Sequence, residues 1–155
     1  MWRLPVAAAA FFGALASSSP GYAQSAPFAA LSGTWVGGGL VTLDDGSKER
    51  IRCRASYAVS GPSMNMALTC ASDAYKFNLN ASVIDRGGMI SGKWTESSRN
   101  IAGTLQGRGG GGAFDVRASA AGFDADISLR TTGRRQSITM RADSQFRGAS
   151  ITLSR

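Results

Sequence analysis

The strongest constraint on how this chain folds lies in residues 48 to 71, where two cysteines sit inside a regular alternation of apolar and polar side chains. Successive side chains of a strand point to opposite faces, so Lys48, Arg50, Arg52 and Arg54 share one face. Ile51, Cys53, Ala55, Tyr57 and Val59 share the other. A hairpin that pairs Cys53 with Cys70 sets Ala55 opposite Leu68, Tyr57 opposite Met66 and Val59 opposite Met64, with Ser60-Gly61-Pro62-Ser63 as the turn. Directly opposed residues of a non-hydrogen-bonded antiparallel pair have Cα atoms about 4.5 Å apart, a span a disulfide accepts. The pattern predicts a Cys53–Cys70 cross-strand bridge.

The same alternation continues, with no helical period of useful length, and turn residues punctuate it every 8 to 12 positions. A first strand is expected from about Gly33 to Leu43, turning at Asp44-Asp45-Gly46 so that Val41 meets Ile51 and Trp35 meets Tyr57. Ser72-Asp73 turns the chain into a strand from Ala74 to Ile84 that carries Tyr75, Phe77, Leu79 and Val83 on the apolar face. Ile90, Gly92 and Trp94 then oppose Leu105, Gly103 and Ile101 around a turn at Glu96 to Arg99. Residues 107 to 112, GRGGGG, read as a flexible loop at a barrel mouth. Phe114, Val116 and Ala118 oppose Leu129, Ile127 and Ala125, and Ile138 and Met140 oppose Leu153 and Ile151. The fold class expected is all-β: an antiparallel up-and-down meander of 8 to 10 strands closing into a small barrel, because closure covers the apolar face and removes the sheet edges.

Residues 1 to 23 have the pattern of a secretory signal peptide: Arg3, the apolar run Leu4 to Ala16, and a small-x-small site at Gly21-Tyr22-Ala23, with cleavage expected after Ala23. That implies a periplasmic or secreted bacterial protein, an oxidising setting in which a structural disulfide persists. Residues 24 to 31 form a leader with Phe28 as the side chain expected to dock, and residues 32 to 155 a single barrel domain. Removing Arg3 leaves 16 Lys and Arg against 10 Asp and Glu, so the exported chain carries about +6 and favours anionic partners.

Alternation does not say whether the apolar face points inward or, as in an outer-membrane barrel, into lipid. Strands that look shorter than the roughly 9 to 11 residues of a spanning strand, no recurring aromatic girdle, and a terminal Arg155 favour the inward arrangement. So do the small residues Gly37, Gly39, Ala55, Ala81, Gly92 and Gly103 on the apolar face.

Leu31-Ser32-Gly33-Thr34-Trp35 places a Gly-x-Trp at the start of the first strand, and Ile90-Ser91-Gly92-Lys93-Trp94 repeats it 59 residues later. An exported antiparallel barrel opening on this motif resembles the calycin superfamily of lipocalins, avidins and bacterial metalloprotease inhibitors. Where avidins follow the Trp with polar biotin-binding residues, this chain has Val36-Gly37-Gly38-Gly39, so the likeness does not extend to biotin. The likeness to the inhibitors implies that residues 24 to 31 would enter a protease cleft.

The chain contains no histidine, which removes the commonest general base and metal ligand, and both cysteines are assigned to the bridge. Asp124 and Asp126 share a strand face, but Asp126 is expected to face Arg117 as a surface ion pair. No catalytic residue, metal or cofactor is therefore expected, and the chain reads as a non-enzymatic binding protein. Trp35, Tyr57, Tyr75, Phe77 and Trp94 share the interior as a core or the lining of an apolar cavity. No arginine is assigned to that face, which favours a neutral ligand. Lys48, Arg50, Arg52 and Arg54, joined by Arg130, Arg134, Arg135 and Arg141, form the candidate anion-binding surface. Few aromatics interleave with it, which counts against nucleic acid. The expected partners are a small apolar ligand, an exported protease, or an anionic component of the cell envelope.

Overall fold

Every strand of this chain has an apolar face, and the described residues offer only one turn of 3₁₀ helix, Ala29–Leu31, to cover it. The sheet therefore covers itself. In the computed structural model, which describes residues 26–144 and 146–155, ten antiparallel strands close into a barrel. They are β1 (Gly33–Leu43), β2 (Lys48–Ser60), β3 (Ser63–Ala71), β4 (Lys76–Arg86) and β5 (Met89–Glu96). β6 (Ile101–Gly110), β7 (Ala113–Ala120), β8 (Phe123–Thr132), β9 (Arg135–Ala142) and β10 (Phe146–Ser154) complete it. Each strand pairs with the next in sequence, and β1 pairs with β10. The expected signal peptide and the first residues of the leader lie outside the described residues.

The β2–β3 hairpin has the expected register throughout: Cys53 faces Cys70, Ala55 Leu68, Tyr57 Met66 and Val59 Met64. The disulfide joins Cα atoms 4.1 Å apart, and both cysteines are buried inside the barrel. The register of β7–β8 is also as expected, and Arg117 makes a two-pronged ion pair with Asp126 at 2.9 and 3.1 Å on the outer surface.

Three other hairpins are displaced by two residues from expectation, which keeps each side chain on its face but changes what it meets. In β1–β2 Val41 faces Glu49 and Trp35 faces Ala55, because the turn Asp44-Asp45-Gly46 centres the pair there. In β9–β10 Ile138 faces Ile151 and Met140 faces Ala149, and the inward Gln136 takes the place opposite Leu153. In β5–β6 Trp94 faces Gly103 and Glu96 faces Ile101, so Gly92 and Gly103 are not opposed. A Cβ on Gly103 would lie 2.8 Å from the Trp94 indole nitrogen, so the glycine makes room for the ring.

Three further expectations are corrected. The β3–β4 turn falls at Asp73-Ala74, with Ser72 N–H bonded to Tyr75 O, and β4 begins at Lys76. The glycine run is not a loop: β6 extends to Gly110, and only Gly111-Gly112 turn. A Cβ on Gly109 would sit 2.4 Å from the Phe114 ring, so this bare strand surface is filled by the ring from the neighbouring strand. Most strands are also longer than expected, up to 13 residues, so strand length does not argue against a spanning barrel. Burial decides that question: the side chains that form the core point inward, and among the described residues the exposed large apolar side chains are Val36, Leu40 and Met89.

Candidate functional site: a polarised cavity

The two ends of the barrel are built differently. At the end where β1 starts and β10 finishes, the leader folds across the opening and buries Phe28 and Leu31, each 1% exposed. Phe28 stacks on Phe114 with ring centroids 5.4 Å apart. The Trp35 indole N–H donates to Leu31 O at 2.8 Å, and the Arg155 guanidinium lies 4.5 Å above the Trp35 ring centre while also bonding Ser32 O. Gly33, with φ +111°, makes the bend into β1 that a side chain would resist. The Gly-x-Trp motif is thus the latch of the sealed end. Its second copy serves another purpose, because Trp94 points into the barrel and tilts against Phe123 at 5.8 Å. The buried Tyr57 hydroxyl donates to Gln136 Oε1 at 2.7 Å, and Gln136 Nε2 donates to Thr131 Oγ1 at 3.0 Å. Burial pushes the Tyr57 phenol pKa far above its ordinary value, so this group stays a neutral donor.

A cavity of about 640 Å³ runs from Phe28 and Leu31 to the opposite end. That size falls within the range of small-molecule sites. Tyr57, Tyr75, Phe77 and Trp94 border it, while Trp35 does not, being fully buried in the latch. At the far end the wall residues Tyr75, Ile101, Phe123 and Phe146 are only partly buried, so this end is the mouth. Phe146 of β10 stacks with Tyr75 at 6.4 Å and with Phe77 at 6.5 Å, an aromatic bridge across the mouth.

The mouth also holds two charges that the expected β5–β6 register hides. Glu96 is 2% exposed. Its Oε1 accepts the N–H groups of Asn78 and Ser98 at 2.9 and 3.1 Å, and its Oε2 accepts that of Arg99 at 2.8 Å. Burial raises its pKa, but these hydrogen bonds outweigh burial and hold it below the ordinary carboxylate value. Arg99 borders the cavity, which corrects the expectation that no arginine would do so. Its guanidinium lies 4.4 Å from the Tyr75 ring centre, and its Nη1 donates to Lys76 O at 3.2 Å and lies 3.5 Å from Glu96 Oε2. The signal for Glu96 was the alternation itself, since it continues the series Ile90, Gly92, Trp94, whereas Arg99 lies in the turn after β5, where alternation carries no signal.

On the outside, Lys48, Arg50, Arg52 and Arg54 are exposed in one row along β2. Among the described residues none of them makes an ion pair. Thr42, Leu40, Gly38 and Val36 of β1 stand directly opposite them. Arg130 does not join this row: it lies on β8 and pairs with Asp115 at 2.9 Å. Arg135 and Arg141 lie on β9, separated from β2 by β10 and β1, and Arg134 lies in the β8–β9 turn.

No family model matches the chain, and no curated protein does. Solved structures do. Rv2717c from M. tuberculosis is 15% identical, with a TM-score of 0.67 over 83% of this chain and 94% of that one. The S-type phycobiliprotein lyase CPES from Guillardia theta is 11% identical, with a TM-score of 0.59 over 83% of this chain and 89% of that one. At these identities the likeness is one of fold alone, that of a ten-strand antiparallel barrel.

Proposed function

We propose that this is an exported binding protein that carries a small apolar ligand inside its barrel. The observation behind this reading is the cavity of about 640 Å³, sealed at one end by Phe28 and Leu31 and open at the other between aromatic side chains. A chain selected only for stability would fill such a space, since unfilled apolar volume is destabilising. The test uses protein purified from the periplasm without detergent and titrated with the neutral fluorophore N-phenyl-1-naphthylamine. Saturable binding is expected. Ala125→Phe, which places a ring in the cavity opposite Ala118, should weaken it at least about tenfold. No binding by the wild type, or binding unchanged in A125F, would remove the reading. Export itself is tested by the mass of the periplasmic chain, which should begin at Gln24.

A second reading rests on the row Lys48, Arg50, Arg52 and Arg54, without an ion pair among the described residues, beside the exposed Val36 and Leu40. Cations flanking apolar side chains suit the surface of an anionic bilayer, so the barrel would collect its ligand from lipid. The protease-inhibitor reading has less support, because Phe28 and Leu31 of the segment that would enter a cleft are buried in the chain's own barrel.

A further inference from the structure

We infer that the ligand is amphipathic, an apolar chain ending in a carboxylate, and that Arg99 binds its head at the mouth. This rests on the cavity reading above and specifies the ligand class.

The cavity has an apolar interior and, among the described residues, a single basic side chain on its wall. That side chain is held in place from several directions. Its own N–H and its Nη1 are anchored through Glu96 and Lys76 O, and Tyr75 supports the face of the guanidinium. Nε and Nη2 donate to no carboxylate or carbonyl oxygen among the described residues, and the Tyr75 hydroxyl is the side-chain group beside the guanidinium. These two donors lie on one edge of the planar group and match the two oxygens of a carboxylate.

The acidic groups near the mouth do not cancel this site. The Glu96 carboxylate accepts three backbone N–H groups. Glu49 accepts from the Ser72 hydroxyl at 2.7 Å. Asp44 borders the mouth from the β1–β2 turn. The bridge of Tyr75, Phe77 and Phe146 joins β4 to β10 across the barrel, with β1 to β3 on one side and β5 to β9 on the other. Asp44 is on the first side, and Arg99, Ile101 and Phe123 are on the second. A carboxylate leaving its tail in the cavity beside Phe123 meets the cation and not the aspartate.

The experiment compares dodecanoate with 1-dodecanol as displacers of N-phenyl-1-naphthylamine from the wild-type chain at pH 8. The acid should displace at a concentration at least about tenfold below the alcohol, the size expected of a charge-assisted hydrogen-bonded pair. In Arg99→Gln that ratio should fall toward one, and Arg99→Lys should keep part of it. Equal displacement by acid and alcohol from a wild type that binds the dye overturns the head-group assignment and leaves the cavity reading standing. A ratio that survives R99Q also overturns it. Tighter displacement by dodecyl phosphate than by dodecanoate overturns the choice of a carboxylate. A wild type that binds no dye removes both readings. The wild-type ratio suffices as a test even if the variants fail to fold.

Discussion

At the scale of single residues, the least replaceable polar group is Glu96. Its two oxygens serve three backbone N–H groups of the β5–β6 turn and of β4, in a place 2% exposed. A glutamine has one acceptor oxygen and would leave at least one N–H without a partner. Glu96→Gln should therefore cost about 2 kcal/mol at pH 7, in keeping with hydrogen bonds to a charged group. The pH dependence has a definite sign. The folded pKa lies below the ordinary glutamate value of 4.5, so the stabilisation is present above that value and is lost as pH falls through the folded pKa. The difference in unfolding free energy between wild type and E96Q should narrow below about pH 4.5, measured by urea denaturation at pH 7 and pH 3. A gap of constant size would show that the carboxylate is not the source.

At the scale of elements, the meander, the closed barrel and the disulfide hairpin were legible because period-two alternation and opposed cysteines are local signals. Register was less legible, and for a specific reason. A slip of two residues keeps the apolar face intact, so burial cannot discriminate between registers, and only turn geometry or a particular contact can. Trp94 over Gly103 is such a contact, and Leu153 opposite the buried Gln136 is another. Composition misled at the glycine run 107–110, where a bare strand surface looks like a loop until Phe114 is placed against it. The leader was legible in part: Phe28 is buried as expected, but Leu31 is equally buried and gives its carbonyl to Trp35. One turn of 3₁₀ helix has little stability alone, so its side chains must hold it. Phe28→Ala should cost about 3 kcal/mol and lower the urea midpoint with an unchanged slope. A loss below about 1 kcal/mol would show that the plug is not anchored by this ring.

At the scale of the whole molecule, charge is distributed unevenly. On the β7–β8 face the cations are matched, Arg117 by Asp126 and Arg130 by Asp115, whereas along β2 four cations stand at every second residue with no acid paired to them among the described residues. At about 3.3 Å of rise per residue this row is about 20 Å long, enough to meet several lipid headgroups at once. Each such cation near an anionic bilayer contributes about 1 kcal/mol, attenuated within a Debye length of about 10 Å at 0.1 M salt. The row by itself then gives weak adhesion, and the exposed Val36 and Leu40 add apolar contact that salt does not screen. Co-sedimentation with phosphatidylglycerol vesicles should show binding at low salt that falls steeply by 0.5 M. The triple variant Arg50→Ser, Arg52→Ser, Arg54→Ser should reduce it at least about tenfold, whereas Arg117→Ser, taken from the matched face, should leave it nearly unchanged. Binding that ignores salt, or that responds equally to both variants, would mean that net charge and not this face governs adhesion.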